Sequence, residues 1–149
     1  MELQTVVAEA VDSLSRLISE RHVVLQYPST WRTVQGNAPL LRSVVENLLA
    51  NAIRFSVDGP PQIELHCEQT ERGTVRVAVT DHGIGIDPEY HSQIFGMFKR
   101  LESRKTFPGT GAGLAICQKI IQRHHGSLGV DSTRGNGATF WFEIPAAPS

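Results

Sequence analysis

The sequence predicts a single α/β domain, and three observations carry that prediction. Stretches of helical and of alternating apolar spacing follow in the order helix, two strands, helix, two strands, short helix, loop, helix, two strands. The 149 residues suffice for one core that removes about two-thirds of the unfolded chain's surface from water. The stretch GTGAGLA, Gly109–Ala115, sets glycines at alternate positions directly before an amphipathic helix.

Composition excludes several function classes. Hydrophobic residues make up 40% and charged residues 19%, with a formal net charge of -1. That balance predicts no nucleic-acid partner. Cys67 and Cys117 lie far apart without a CxxC spacing and read as small core residues in a reducing compartment. No apolar run approaches the roughly 18 residues of a membrane span, and the N-terminus lacks a signal peptide's basic start. The expectation is a soluble, cytoplasmic domain without direct membrane contact.

Leu3, Val6, Val7, Ala10, Leu14, Leu17 and Ile18 recur at helical spacing and predict one N-terminal helix over residues 1–20. VVLQY (Val23–Tyr27) and WRTVQ (Trp31–Gln35) read as short strands around the Pro28–Ser29 turn. Asn37 is the N-cap of the next helix, with Pro39 in its first turn. That helix runs from Leu40 to Phe55 with Leu41, Val44, Val45, Leu48, Ala52 and Phe55 as its core stripe. Two strands follow, Gln62–Gln69 and Thr74–Thr80, joined by a hairpin at Glu71–Arg72–Gly73. His66 falls on the face opposite Ile63 and Leu65 and reads as a solvated residue. Asp87–Pro88–Glu89 caps a short helix. The helix opened by the glycine stretch ends at Gly126, with Arg123, His124 and His125 in its last turn. SLGVD and ATFWFEI are the closing strands around the Arg134–Gly137 turn, and residues 145–149 form a tail. His124 and His125 are adjacent and do not share a helix face, which argues against a metal pair.

Three stretches depart from what a core alone requires. Glycines without Cβ atoms let backbone N–H groups approach a ligand, and the following helix aims its free N–H groups and positive dipole end at the same place. Gly109–Ala115 is therefore a candidate anion site, most naturally for phosphates. Asn47, Asn51 and Arg54 sit at i, i+4 and i+7, within an arc of about 60° on one helix. Asparagine in a helix interior costs up to roughly 0.7 kcal/mol relative to alanine. Such a face suits a polar ligand, and a solvated surface explains it equally. In DHGIGID, Asp81 ends a strand just before Gly83 and Gly85. It either accepts a hydrogen bond from an exocyclic amine of a flat ring or makes a simple Asp–Gly turn. Between these motifs, His91–Gly111 begins with Ile94, Phe95 and Phe98 and then turns basic with Lys99, Arg100, Arg104 and Lys105. Its composition is that of a movable lid.

In this order the motifs resemble those of a known family. ENLLANAIRF resembles the N box, DHGIGI the G1 box, IFGMFKR the F box and GTGAGLAI the G2 box of sensor histidine kinase catalytic domains. Their nucleotide-binding fold, the Bergerat or GHKL fold, is shared with gyrase-type ATPases, the Hsp90 chaperones and MutL. The stretch FKRLESRKTFPGTGAGLAICQKIIQRHHG looks most like phytochrome-type kinases. The resemblance covers essentially the whole chain. It implies a two-layer sandwich, with a mixed sheet of about five strands covered on one face by three helices and an ATP lid over residues 97–112.

The resemblance also implies residue roles. Asn51 gives a side-chain carbonyl to Mg²⁺, with Asn47 and Arg54 near the phosphates and Phe55 near the base. Asp81 takes the adenine amine, while Gly83, Gly85 and Ile86 border the ring. Arg100 reaches the γ-phosphate side. Gly109, Gly111 and Gly113 form the phosphate-facing hinge with Thr110 and Leu114 beside them, and Thr139 completes the nucleotide-contacting set. Asn47 and Arg100 are the candidate catalytic pair. Ala112 stands where the family carries a larger aliphatic residue.

Gyrase-type relatives have a glutamate at the first N-box site to activate water. Here that site is Asn47, and Glu46 is turned about 100° away. The resemblance thus implies Mg-ATP as cofactor and transfer of the γ-phosphoryl group to a histidine rather than to water. None of the six histidines is followed by an acidic residue, as the family's phosphoacceptor is. The acceptor is therefore expected on a dimerisation domain of the parent kinase, with a response regulator downstream and this domain monomeric by itself. Two alternatives use the same fold, namely a serine kinase of the anti-sigma-factor type and a non-catalytic ATP-sensing interaction module.

Overall fold

A computed structural model describes residues 2–55, 61–81, 111–132 and 138–147. Its elements are α1 (Leu3–Ser13), α2 (Ser15–Arg21), β1 (Val24–Gln26), α3 (Ala38–Phe55), β2 (Gln62–Gln69), β3 (Thr74–Asp81), α4 (Gly111–Arg123), β4 (Ser127–Ser132) and β5 (Ala138–Pro145). The strands form one sheet in the order β1-β2-β3-β5-β4. β1 runs parallel to β2, and the remaining pairs are antiparallel. The sheet is mixed, as expected.

Strand parity decides which side is covered. Ile63 and Leu65 of β2, Val75, Val77 and Val79 of β3, and Phe140, Phe142 and Ile144 of β5 are buried. The register pairs Leu65 with Val79 and Val79 with Phe140, so these side chains share one face. α3 and α4 lie on that face, and α1 packs beside α3. α3 contributes Leu41, Val44, Val45, Leu48, Leu49, Ala52 and Ile53 to the core. The opposite face carries polar pairs instead. Arg76 stacks 4.3 Å from the Trp141 ring centroid and lies 3.4 Å from Asp131. His66 is exposed there, 3.4 Å from Glu64, as its strand position predicts.

Local chemistry explains several element ends. Asn37 caps α3, because its side-chain oxygen accepts the Leu40 N–H at 3.0 Å. The β2–β3 turn closes with the Gly73 N–H on the Thr70 carbonyl, and Gly73 adopts φ 77. That left-handed conformation costs glycine little.

Four expectations need correction. The N-terminal helix is two helices, broken at Leu14, whose N–H is shared between the Ala10 and Val11 carbonyls at 3.2 and 3.1 Å. The Ser13 hydroxyl lies 2.9 Å from the Ala10 carbonyl and 2.8 Å from Glu46 on α3, so it competes locally with the helix. Trp31–Gln35 is not a sheet strand. Thr33 and Val34 make only isolated bridges, to Glu2 and Ala146. The C-terminal tail is partly structured, since Pro145 ends β5 and the Ala146 and Ala147 N–H groups bond to Gly73 and Thr33. Finally, α4 ends at Arg123, and the left-handed residue beyond it is His125 (φ 61) rather than Gly126. The expected short helix near Asp87 lies outside the described residues.

Gly126 has a different task. Its N–H reaches back to the Ile121 carbonyl at 3.0 Å, closing the helix end. A Cβ there would collide with the Glu143 carbonyl and come within 2.8 Å of Ile144 Cγ2. Backbone cannot step aside as a flexible side chain can. Gly126→Ala is expected to destabilise the domain by about 1–3 kcal/mol in urea unfolding. An unchanged midpoint would contradict this close approach of α4's end to β5.

Candidate functional site

Among the described residues, two polar or charged side chains are buried: Asn51, 2% exposed, and Asp81, 1% exposed. They are the residues the sequence assigns to the metal and to the base. Burying a polar group in an otherwise apolar core costs free energy unless it is hydrogen-bonded.

Chain connectivity brings three elements to one end of the sandwich. β2 begins at Gln62, shortly after α3 ends at Phe55, and Ile63 pairs with Asp81. Asp81 in turn pairs with Ala138, and Ala138 with Ser132 at the far end of β4. α4 returns directly into the start of β4, so its own first residue, Gly111, lies toward that same end. The last turns of α3, the end of β3 and the first turn of α4 therefore converge.

Two contacts fix how α3 and α4 align. The Asn37 N–H donates to Nε2 of His124 at 3.0 Å, and Cys117 Sγ sits 4.0 Å from the Val44 carbonyl. From the first contact to the second, each helix advances by seven residues in opposite directions, about two turns. The helices are thus antiparallel. One more step of two turns along α3 reaches Asn51, level with the start of α4. The amides of a helix's first turn have no partner within it, and they carry the positive end of its dipole. The buried Asn51 amide and the phosphate-type helix start of Gly111 and Gly113 are thereby brought to one level.

The two asparagines differ in their commitments. Asn47 is half-buried, and its Nδ2 donates to the Ser43 carbonyl one turn back at 2.8 Å. Asn51 Nδ2 is fully buried and has no hydrogen-bond partner among the described residues. An amide in that condition fits a ligand that brings oxygen atoms and a cation. Nδ2 donates to an oxygen, and the amide carbonyl is a hard ligand suited to Mg²⁺. Asp81 supplies a buried carboxylate at a strand end, an acceptor for an amine edge.

The remaining predicted site residues separate into groups. Leu114 is fully buried in the core one residue past Gly113 and anchors the start of α4. Arg54 and Phe55 lie in the last turn of α3. Gly83, Gly85, Ile86, Arg100, Gly109 and Thr110, with residues 97–110 of the expected lid, lie outside the described residues, whereas its last two residues, Gly111 and Ala112, begin α4. Thr139 is not brought to this site. Its hydroxyl lies 2.9 Å from that of Thr80, on the sheet face away from the helices. The strand residue paired with Asp81 is Ala138, one position earlier. Burial pushes the Cys117 thiol up to about 12, so it remains a neutral packing group.

These features define an α/β sandwich whose two buried polar side chains lie toward one end. Residues 36–148 match the family described as "Histidine kinase-, DNA gyrase B-, and HSP90-like ATPase", and the chain belongs to it. Over 144 residues it is 40% identical to phytochrome-like protein Cph1 of Synechocystis sp. (strain ATCC 27184 / PCC 6803 / Kazusa). That match takes in 97% of this chain and 19% of Cph1, so the chain spans about a fifth of that relative. Among solved structures, full-length ShkA in complex with AMPPNP matches at TM-score 0.84 and 27% identity, covering 100% of this chain and 31% of ShkA. Histidine kinase ThkA in complex with response regulator protein TrrA matches at TM-score 0.78 and 27% identity, covering 99% of this chain and 41% of that one.

The structure also contains one feature that sequence reasoning missed, the contact of His124 with the cap of α3. Its signal in the sequence is faint, a glycine at 36 beside a polar cap.

The Asn51 Nδ2 donor is buried without a partner among the described residues, so it adds no hydrogen bond there to offset its burial. Asn51→Ala is expected to leave unfolding free energy unchanged or to raise it by up to about 1 kcal/mol, as the unpaired amide and a poor helix former are removed together. A loss above about 2 kcal/mol in chemical denaturation, the scale of a broken buried hydrogen bond, would show that the amide has a structural partner.

Proposed function

We propose that this domain binds Mg-ATP where α3 and β3 end and α4 begins, and donates the γ-phosphoryl group to a histidine on a dimerisation domain of its parent kinase. The observation that carries the proposal is the pairing of the two buried polar side chains, Asn51 and Asp81, at one end of an apolar core. Each suits one end of an adenine nucleotide, and AMPPNP, named with ShkA, is an analogue of ATP.

The residue roles are those the family resemblance implies, and the chemistry of each side chain suits them. Asp81 accepts a hydrogen bond from the adenine amine, which guanine lacks at that edge, so the site selects adenine. Asn51 would hold Mg²⁺ through its carbonyl oxygen, with its amide free to donate to an oxygen of the ligand. The ion would supply charge neutralisation at the phosphates. The first turn of α4, with Gly111 and Gly113, presents free N–H groups to the phosphates. Arg54 and Arg100 contribute positive charge at the phosphate end, and Phe55, Gly83, Gly85 and Ile86 border the base. Gly109 and Thr110 complete the phosphate hinge.

Transfer to a nucleophile outside this chain is favoured over hydrolysis. Asn47 is an amide and not a base, and its nitrogen is committed to Ser43. Glu46 is the neighbouring carboxylate. It pairs with Arg42 at 3.3 Å and lies 2.8 Å from the Ser13 hydroxyl, on the α1 side of the helix. No carboxylate of α3 is thus available to activate water at the γ-phosphate. Catalysis rests on positioning and on charge stabilisation. The partner set is the parent's dimerisation domain and, downstream, a response regulator, the class of protein that TrrA represents beside ThkA.

The reading is tested by incubating the domain with γ-labelled ATP, Mg²⁺ and the parent's separately produced dimerisation domain. Label bound through an acid-labile, base-stable phosphoramidate is expected. Label on a serine hydroxyl, or ATP binding without transfer, would contradict the histidine assignment. In titration calorimetry, Asp81→Asn is expected to weaken Mg-ATP binding by about 1–3 kcal/mol, the scale of an unsatisfied buried polar group. Wild-type affinity in that variant would overturn the placement of the base.

A further inference from the structure

The Nε2 atom of His124 accepts the Asn37 N–H at 3.0 Å, so the ring's proton resides on Nδ1. Nδ1 lies 2.8 Å from the Ile120 carbonyl, one turn back on α4, and donates to it. Both ring nitrogens are therefore engaged, one on each helix, across 87 residues of sequence. The ring also needs room. A Cβ on Gly36 would come within 2.8 Å of His124 Cδ2 and 3.0 Å of Nε2.

The bond replaces a familiar local one. In a capping box, the N-cap side chain accepts from the third helical residue, whose Glu or Gln side chain accepts the N-cap N–H in return. Asn37 makes the first half, accepting from Leu40 N–H. Leu40 has no acceptor for the second half, and His124 of another helix supplies it. The box that starts α3 is closed by the end of α4.

We propose that His124 is a positioning residue for the nucleotide site, an inference that rests on Mg-ATP binding as proposed above. The α3–α4 seam is mostly apolar, and apolar seams tolerate small sliding by side-chain repacking. A directional bond to a backbone N–H does not. By fixing where the end of α4 meets the start of α3, His124 sets where the start of α4 meets Asn51, about four turns away along both helices. The metal-side amide and the phosphate-side helix terminus are thus held level by a residue at the other end of the domain.

The test is titration of Mg-ATP into the 149-residue chain and its variants, each checked for folding by its circular-dichroism melt. His124→Leu keeps the ring's bulk and removes both bonds, and a loss of about threefold to tenfold in affinity is expected, the scale of one hydrogen bond. His124→Gln, whose side-chain oxygen reaches the Nε2 position, restores binding to within about twofold of wild type, because the acceptor is regained. Gly36→Ala keeps every hydrogen-bonding group but crowds the ring and Leu41 Cδ1, each at 2.8 Å, so it shows the same loss and serves if His124→Leu does not fold. Leu41→Ala in the Gly36→Ala background relieves the second clash. Leu40→Gln in the His124→Leu background separates capping from positioning. It completes the box within α3 and should recover melting temperature without recovering affinity. Unchanged affinity in both His124→Leu and Gly36→Ala, or affinity restored by Leu40→Gln, overturns the inference alone. A wild-type chain that binds no Mg-ATP overturns the proposed function and this inference with it.

Discussion

A buried asparagine with an unanswered donor is the constraint on which this structure turns. An unsatisfied buried amide costs about 1–3 kcal/mol, a large share of the roughly 5–15 kcal/mol by which domains are stable. Asn51 is placed there by a helix whose other inward residues, from Leu41 to Ile53, are aliphatic and fully buried. The core holds the asparagine in place, and the asparagine gives the core nothing in return. Such an arrangement is expected where a site is organised before its ligand arrives, because the cost of desolvating and orienting the group is then met by folding.

The rest of the architecture keeps that end of the domain accurate. A five-stranded sheet presents Asp81 from its central strand, β3, flanked by β2 and β5. α3 lies on β3, and α4 runs antiparallel to α3 with ties at His124 and Cys117. Regular elements therefore carry the two buried polar groups and the helix start, and a site built on such elements is held more precisely than one built on loops.

Much of this was legible in the sequence where the chemistry is local. The cap at Asn37, the alternation of Val75, Val77 and Val79, and the amphipathic spacing of α3 and α4 each depend on near neighbours, and each has its predicted place. The misreadings share a different physics. Trp31–Gln35 alternates like a strand, but alternation does not specify a partner, and only isolated bridges form. The break at Leu14 depends on Ser13 meeting Glu46 from α3, a tertiary contact. Thr139 follows from strand parity. Shifting a pairing by one residue moves a side chain to the other face, and only the observed register shows that Ala138 pairs with Asp81. His124 reads in sequence only as a residue of the helix's last turn, because its partner lies 87 residues away.

The central claim, that this buried end is an adenine-nucleotide and Mg²⁺ site, is tested most directly by thermal unfolding with Mg-ATP, Mg-GTP, and ATP with a chelator. Ligand at 100 times its dissociation constant stabilises a fold by about 2.7 kcal/mol. The account predicts a clear rise in melting temperature with Mg-ATP, none with Mg-GTP, and a smaller one when the metal is removed. An equal rise with Mg-GTP, or no rise with any nucleotide, would contradict it.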